Sequence, residues 1–405
     1  MRKILGNEKG VAILIALFAM IFLLVLATEV SYDTNVEYVV AAQKVNRIKA
    51  YYAAKSGVEL SLFRIMLYKK AMATFGDQVR SSPQGQNLIN QIWQFPFAWP
   101  PLMPDDIDPV AKDEIATALE ESFMDAQYNT IIKGEGGKID LNDLGSPSEE
   151  IANATKASIL AIFSTELENN EDFEDEYSNE NFEELVNNIA DWVDDDSEGR
   201  NSRAEDQAYE QPEDGTRLPP NRAFRTLEEL HMVAGMNDDF YGLLRDRVTV
   251  YGTKGVNPNS ATELVLKSLD EQIDDEVAGK IIERRSNMEK GGPFQDDDDF
   301  FNFLRGVGVN TGGLEDLEIP FYYDAEYNFR IISTGKFANV IREITAISFD
   351  VENLSERYAE FLKKVGNNGA TPTPTPTPQG GGNSNTATKF KEVKGRPVVV
   401  YWEEN

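Results

Sequence analysis

An uninterrupted helical pattern near the N-terminus constrains this chain more than any other feature. Residues 11–27 are seventeen apolar residues without a charge, which is the lower limit for a helix that spans a bilayer. No proline occurs before Pro83, and Gly57 is the only glycine between residues 11 and 75. Because apolar side chains recur at helical spacing throughout, the stretch predicts one helix of about 65 residues, on the order of 100 Å long.

The flanks of the apolar stretch set its orientation and leave three interpretations open. Three basic residues precede it, so the positive-inside rule predicts a cytoplasmic N-terminus with the remainder of the chain outside. The stretch is a cleaved secretory signal, a plain membrane anchor, or a helix retained in a mature protein that is processed between Gly10 and Val11. A signal would need small residues at its cleavage site, and the sequence around Thr28 is a poor match. The amphipathic half of the predicted helix favours the third interpretation, because a simple anchor has no use for it.

The composition narrows the classes of function. The chain has 405 residues, with 69 acidic against 39 basic ones, and a net charge of −30 disfavours nucleic acid as a partner. It has no cysteine, which excludes disulfides, thiolate zinc sites and cysteine nucleophiles. The single histidine, His231, is expected to be a surface or core residue, and no G-x-S-x-G motif supports a hydrolase. The composition therefore points away from an enzyme.

The remaining chain predicts strands interrupted by a helical insertion, an α+β fold. Strands are predicted at 128–132 and 138–141, joined as a hairpin through Gly134-Glu135-Gly136-Gly137, and at 329–334, 340–351 and 397–402. Helices are predicted at 113–126 and, within the helical region 146–317, at 147–163, 182–193, 226–234, 238–244, 260–269, 275–286 and 296–304. The proline-rich region 96–109 predicts a loop, and the Thr-Pro and glycine run within 366–387 predicts an exposed linker.

A cluster of carboxylates at residues 194–205 has the spacing of a twelve-residue calcium-binding loop. Loop positions 1, 3, 5 and 12 are Asp194, Asp196, Glu198 and Glu205. Position 6 is Gly199, which allows the sharp turn that lets alternating oxygens wrap a hard cation. The alternative is a solvated acidic run, which is what we expect of the acidic residues at 171–175 and 296–299.

The N-terminal residues resemble the class III signal of type IV pilins and pseudopilins, a short basic leader that ends in glycine before a retained apolar helix. The resemblance implies that a prepilin peptidase cuts after Gly10 and that the new amino group of Val11 is N-methylated. Most members carry a glutamate at the fifth mature position, whereas this chain has Ile15. That glutamate supplies a buried counter-charge to a neighbour's N-terminus, so a subunit without it suits the end of a filament.

Two blocks in the helical region resemble the general secretion protein K family, the minor pseudopilins of type II secretion systems. They are IADWVDDDSEGRNSRAEDQAY at 189–209 and GVNPNSATELVLKSL at 255–269, and the second departs from the family pattern at Gly255 and Pro258. The resemblance implies a long helix packed on a pilin-like antiparallel sheet, with an inserted α-helical domain of two SAM-like, or helix-hairpin-helix-like, units at about 146–250 and 256–312. The implied divisions are a leader at 1–10, the helix at 11–75 with its transmembrane part at 11–28, pilin-like portions at 76–145, 318–352 and 388–405, the insertion at 146–317 and the linker at 366–387.

The resemblance also implies a metal, because the helical domain of this family binds calcium through the first of these blocks. It implies one or two Ca²⁺ ions with ligands drawn from Asp191, Asp194, Asp196, Glu198, Glu205 and Asp206. The resemblance favours Asp194, Asp196, Glu205 and Asp206 as ligands, and it ranks Asp191 and Glu198 below these four. Calcium is expected rather than magnesium, because the site offers many flexible carboxylates instead of a rigid octahedron.

The function implied by the resemblance is structural, with no catalytic residues. We expect a subunit at the tip of the type II secretion pseudopilus that helps to start its assembly and the export of proteins across the outer membrane. Its expected partners are other minor pseudopilins, the major pseudopilin and the inner-membrane assembly platform, with secreted cargo or the secretin as further contacts and no nucleic acid. It is expected in the bacterial inner membrane as a single-pass protein with a periplasmic C-terminal domain, and at the pseudopilus tip after extraction. Two alternatives remain, a tip subunit of a type IV pilus and a membrane-anchored calcium-dependent hydrolase.

Overall fold

One very long helix lies on one face of a five-stranded sheet, and a helical insertion separates the second strand of that sheet from the third. A computed structural model describes residues 8–80, 83–101, 108–211, 215, 217–316, 320–323, 325–359 and 395–405. The predicted α+β class, with a long helix, an antiparallel sheet and a helical insertion, is confirmed. The linker predicted at 366–387 and residues 1–7 of the predicted leader lie outside the described residues.

The long helix α1, Glu8–Arg80, runs unbroken for 73 residues, and the prediction of one long helix is therefore confirmed. Every side chain from residue 11 to residue 40 is exposed, and α1 is the one helix in the described part of the chain that is long and apolar enough to cross a membrane. From Ala50 onward α1 packs on the sheet. A Cβ at Gly57 would lie 2.2 Å from Ser333 Oγ and 2.5 Å from Thr130 Cγ2, so glycine is needed where the helix meets the strands.

All neighbouring strands of the main sheet are antiparallel. Their spatial order is β1 (Phe97–Trp99), β2 (Gln127–Gly134), β5 (Phe329–Phe337), β6 (Val340–Phe349) and β7 (Val398–Glu404). Side chains alternate along β5: Ile331 and Ser333 are buried, and Ser333 Oγ donates a hydrogen bond to the Ala54 carbonyl of α1 at 2.7 Å. Arg330 and Ile332 therefore point to the opposite, outer face of the sheet.

The predicted hairpin between 128–132 and 138–141 is wrong. Strand β2 pairs with β1 and β5, whereas β3 (Ile139–Asp140) pairs in parallel with β4 (Val248–Thr249) in a separate two-stranded sheet. The glycines between the two strands serve close packing instead of a hairpin turn. A Cβ at Gly136 would lie 1.5 Å from Tyr322 Oη, and one at Gly137 would lie 2.6 Å from the backbone of Ser260.

Most predicted helices form, and those at 182–193, 238–244 and 275–286 have the predicted ends, whereas the others are shifted. The α-helices after α1 are α2 (Pro83–Gln94), α3 (Pro109–Glu121), α4 (Glu149–Asn169), α5 (Glu171–Tyr177), α6 (Phe182–Val193), α7 (Asp238–Leu244), α8 (Glu263–Lys267), α9 (Asp275–Ser286), α10 (Asp297–Gly306) and α11 (Gly312–Asp316). The helix predicted at 113–126 begins earlier, because Pro109 suits a first helical turn. The helix predicted at 260–269 begins later, because Thr262 caps α8 by accepting from the Val265 N–H. The helix predicted at 226–234 is a 3₁₀ helix, Leu227–Met232, and the predicted loop at 96–109 contains β1.

Two large cores hold the described residues together. In the pilin-like part, Tyr68 of α1, Trp93 of α2 and Phe329 of β5 pack edge to face, with ring centroids 5.2 to 6.3 Å apart. The larger core lies in the insertion, where α4, α6 and the segments that follow bury side chains such as Phe163 and Trp192. The insertion is thus a folded unit with its own hydrophobic interior rather than a surface loop.

Candidate metal centre

Helix α6 carries the first residues of the acidic cluster into place. Asn181 caps the helix by accepting a hydrogen bond from the Glu184 N–H at 3.2 Å, and two glutamates in the first turn favour its positive end. At the other end, Trp192 is 1% exposed and stacks on Phe224 with ring centroids 5.5 Å apart. This packing fixes the C-terminal end of α6, which is where Asp191 lies.

Three carboxylates converge at that end of the helix. Asp191, Asp194 and Glu205 each offer one oxygen, and the three oxygens lie within 4.8 Å of one another. Asp191 and Glu205 are buried, and the Asp194 side chain is 11% exposed. Glu205 arrives from the start of a 3₁₀ helix, Glu205–Ala208. We call Asp191, Asp194 and Glu205 the acidic trio.

The chain supplies only part of the hydrogen bonding that the acidic trio requires. The Arg200 backbone N–H donates to both carboxylate oxygens of Asp191 at 3.3 Å, and the Arg200 guanidinium donates to Asp194 Oδ2 at 2.9 Å. Asn221 Nδ2 donates to Glu205 Oε2 at 2.9 Å. Asp194 Oδ1 and Glu205 Oε1 are buried without a hydrogen-bond partner among the residues described. Buried oxygens without partners are costly, and two of them within one group of close carboxylates suit a bound cation.

The electrostatics of the acidic trio also favour a cation. Burial, followed by the charge of Asp194, raises the pKa of Glu205 to about 7. Burial raises the pKa of Asp191 to about 6 and also raises the pKa of Asp194, although hydrogen bonds from Arg200 oppose both shifts. Three close carboxylates cannot all ionise cheaply at neutral pH without a compensating charge. A divalent cation would supply that charge, and the all-oxygen ligand set fits a hard ion such as Ca²⁺.

The structure does not bring every predicted ligand to the trio. Asp196, Glu198 and Asp206 are exposed, and Asp196 Oδ1 accepts a hydrogen bond from the Glu198 backbone N–H at 2.7 Å. Their roles as metal ligands stay predictions. Sequence spacing missed Asn221, which contacts Glu205 from 16 residues away in the chain and also donates to the Asp196 carbonyl. Its local signal is a left-handed backbone with a φ of 47°, a conformation that asparagine tolerates and that no sequence spacing reports.

The predicted processing and filament positions lie on α1, and the remaining predicted acidic runs are elsewhere. Val11 and Ile15 are exposed, at 60% and 64%, and Gly10 lies within the helix. Asp296 caps α10, and the residues at 171–175 begin α5. His231 is partly exposed on a 3₁₀ helix, and its ring packs on Tyr241 with centroids 4.0 Å apart.

Two family models match the insertion that holds the acidic trio. Residues 137–253 match one model for the type II secretion system protein K, and residues 256–317 match a second model with the same description. The chain belongs to the type II secretion system protein K family. The match confirms the resemblance seen in the sequence, and it places all three residues of the trio inside the first matched segment of the protein K family.

A solved structure is also similar to this protein K family member. It is a chain in the crystal structure of the GspK-GspI-GspJ complex from the enterotoxigenic Escherichia coli type 2 secretion system. The similarity has a TM-score of 0.43 and 13% sequence identity, and it covers 56% of this chain and 75% of that chain. No curated protein sequence matches this chain.

Proposed function

We propose that this chain is a minor pseudopilin that sits at the tip of a type II secretion pseudopilus and helps to start its assembly. The observation that carries the proposal is the unpartnered apolar surface of α1. Large apolar side chains between residues 11 and 26 are 41 to 71% exposed, and the exposed apolar surface continues to Tyr52. Surfaces of this kind are buried in lipid or against other helices, because apolar area in water is unfavourable.

The two halves of α1 support insertion into a filament. Its C-terminal half is fixed to the sheet through residues such as Val58, Leu62 and Ile65, which are at most 1% exposed. Its N-terminal half is free to pack among the corresponding helices of neighbouring subunits. Before assembly, the same half would span the inner membrane once, with the N-terminus in the cytoplasm and the remaining domain in the periplasm.

Ile15 supports a position at the end of the filament. After processing between Gly10 and Val11, the mature chain would present an N-methylated amine in an apolar environment. A subunit below another in the filament would need a carboxylate near position 15 to neutralise that neighbour's amine. An isoleucine cannot do so, and a tip subunit has no neighbour that requires it.

The proposed partners are the other minor pseudopilins, of the kinds that accompany GspK in the Escherichia coli complex, with the major pseudopilin and the inner-membrane assembly platform. The exposed face of α1 is the contact we assign to them. We assign the chain no enzymatic activity, because its family is a secretion component. For the same reason we prefer secretion to the type IV pilus and hydrolase alternatives.

We propose that the acidic trio binds Ca²⁺ in this role. The ion would be held by Asp191, Asp194 and Glu205, with Asp196, Glu198 and Asp206 as further candidate ligands. It would neutralise the trio and tie the loop at 194–205 to the end of α6. The unpaired oxygens of Asp194 and Glu205 support this proposal.

The tip position can be tested with the variant Ile15→Glu and the control Ile15→Leu. The chain has no cysteine, so one cysteine at the exposed position 112 allows specific gold or fluorophore labelling of assembled pseudopili. We expect wild type and Ile15→Leu only at filament ends, and Ile15→Glu along the shaft as well. Wild-type label distributed along the shaft would contradict the tip position.

A further inference from the structure

A polar cleft lies on the outer face of the main sheet, between the sheet and the helical insertion. Its volume is about 1070 Å³, at or above the upper end of the range for small-molecule sites. Arg330 and Tyr401 line it from β5 and β7, Gln91 lines it from α2, Tyr241 from α7 and Arg285 from α9. We call it the outer cleft.

The lining of the outer cleft has more basic than acidic residues, whereas the chain as a whole has an excess of acidic ones. Five of its lining residues are basic and four are acidic, whereas the whole chain has 39 basic against 69 acidic residues. Two of the acids are already paired: Glu135 Oε1 lies 2.6 Å from Arg330 Nε, and Asp246 lies 3.8 Å from Arg245. The cleft is therefore the place where this acidic chain would attract an anion rather than repel it.

Three cations of the outer cleft have no ion pair with any carboxylate in the described part of the chain, namely Lys133, Lys138 and Arg285. The Arg285 guanidinium donates to the Pro258 carbonyl at 2.5 Å, and burial lowers its pKa to about 10. Burial lowers the pKa of Lys138 more than the charge of Glu135 raises it. Of the three, Arg285 is the one whose charge is partly buried without a nearby carboxylate, which is unfavourable and which an anionic ligand would relieve.

The other lining groups suit a polypeptide better than a small anion. Carboxamides and hydroxyls both donate and accept hydrogen bonds, as a peptide backbone requires, and they are contributed by Asn87, Asn90, Gln91, Ser260 and Thr262. A phosphate needs donors alone. Tyrosine, with Tyr241 and Tyr401 here, is enriched where proteins bind one another.

We propose that the outer cleft binds an acidic polypeptide segment, and that the segment belongs to an exported protein. The choice of an exported protein rests on the proposed function. Helix α1, through which pseudopilus neighbours would pack, contributes no lining residue to the outer cleft, so the surface we assign to those neighbours leaves the cleft open. The affinity for acidic peptide rests only on the charges and lining groups of the cleft.

Peptide binding is tested with the full chain in detergent micelles and fluorescence anisotropy. The probe is a labelled ten-residue peptide of alternating glycine and glutamate, and its control has glutamine in place of glutamate. We expect the glutamate peptide to bind at least tenfold more tightly, although both it and the protein are negatively charged overall. The double variant Lys133→Gln/Arg285→Gln should weaken binding at least tenfold, and Lys133→Gln alone should weaken it severalfold.

A matched control is Lys112→Gln, an exposed lysine of α3 outside the cleft, whose loss changes the net charge equally and should leave binding unchanged. Lys133 is exposed, so its single variant should fold even if the double variant does not. Equal binding of the two peptides, or unchanged binding by Lys133→Gln, would overturn the proposal. Full competition by inorganic phosphate at the same concentration of negative charge would also overturn the proposal, because it would mean that the cleft binds small anions rather than a peptide.

The source of the segment is tested in secreting cells with a photoreactive p-benzoylphenylalanine at position 91, an exposed cleft residue. We expect cross-links to an exported protein, which mass spectrometry would identify. The same photoreactive residue at position 112 should give no such cross-links. Cross-links to pseudopilins alone would overturn the exported source. This result is independent of the Ile15→Glu experiment, so failure of the cleft and failure of the tip position can be told apart.

Discussion

Two clusters of buried carboxylates differ in how much compensating charge the chain supplies to them. The first is the acidic trio at the end of α6. The second lies where the insertion meets the pilin-like part and contains Asp140, Asp143 and Lys254; we call it the junction cluster. Lys254 Nζ lies 2.5 Å from Asp143 Oδ1 and 3.8 Å from Asp140 Oδ2.

The junction cluster carries its counter-charge within the chain. Burial alone would lower the pKa of Lys254. The negative charges of Asp140 and Asp143 raise that pKa by more, so the net shift is upward and the lysine stays charged. Burial and the charge of Asp140 raise the pKa of Asp143 to about 7, so the two carboxylates together carry less than two full charges at neutral pH. The single positive charge of Lys254 then nearly balances the negative charge of the two carboxylates. The acidic trio has only the partly exposed Arg200, and two of its oxygens remain unpaired. The junction cluster therefore has its counter-charge within the chain, and the lack of a sufficient one in the trio supports the proposal that the trio binds an external cation.

The largest effect is expected from removing the internal counter-charge with Lys254→Met. Two buried carboxylates would lose their cation, so we expect the free energy of unfolding to fall by about 3 kcal/mol. The loss should be the same in calcium and in chelator, because no external ion belongs to the junction cluster. Scanning calorimetry of the full chain in micelles measures it, with the exposed Lys112→Met as control. Rescue of Lys254→Met by calcium would contradict the comparison.

A somewhat smaller effect is expected from removing the external counter-charge of the acidic trio. With calcium at a hundred times its dissociation constant, chelation should lower the free energy of unfolding by about 2.7 kcal/mol. Asp194→Ala should abolish this response, because it removes one of the unpaired oxygens. The same variant should be no less stable than wild type in chelator, since repulsion within the trio is relieved.

The neighbouring Asp195 provides a matched control for this experiment. It is exposed and lies outside the trio, so Asp195→Ala changes the charge by the same amount and should keep the full calcium response. Identical melting curves for the wild type in calcium and in chelator would contradict the calcium proposal. So would a response that survives in Asp194→Ala.

The same comparison shows what the sequence could predict. The long helix is a local pattern, and it was predicted in full because nothing in residues 11–75 competes with it. The spacing of Asp194 and Glu205 predicted that their carboxylates lie close together, and both belong to the acidic trio. The exposed positions of Asp196 and Glu198 could not be predicted from spacing, because the loop is held by long-range contacts such as the hydrogen bond that Asn221 Nδ2 donates to the Asp196 carbonyl.

Contacts between residues far apart in the chain were the second feature that could not be predicted from the sequence. The glycine segment before β3 predicted a hairpin because Gly-rich turns between short strands usually are hairpins. The glycines are instead required by Tyr322 and Ser260, which are far away in sequence and pack against them. The junction cluster has the same origin. Lys254 lies 111 residues from Asp143, and no local pattern connects the two.

The smallest effect is expected from pH, and it separates the two clusters. In the folded chain the pKa of Glu205 is about 7 and that of Asp191 about 6, and unfolding returns both to about 4. The folded chain therefore holds more protons than the unfolded chain between those values, so its stability rises as the pH is lowered through this window. In chelator we expect a gain on the order of 1 kcal/mol from pH 8 to pH 5.5, discounted for solvent screening.

Calcium should reverse the contribution of the acidic trio to this pH dependence. A bound ion keeps the carboxylates ionised, so protons compete with it and its stabilisation is lost as the pH falls. The raised pKa of Asp143 arises in the junction cluster, outside the trio, so we expect this cluster to add an equal slope to both curves. The calcium and chelator curves should therefore converge toward pH 5.5, as melting temperatures at four pH values would show. In the Glu205→Gln variant, the calcium and chelator curves should coincide at every pH. If the difference between the two wild-type curves stays constant with pH, the calcium is bound away from these carboxylates.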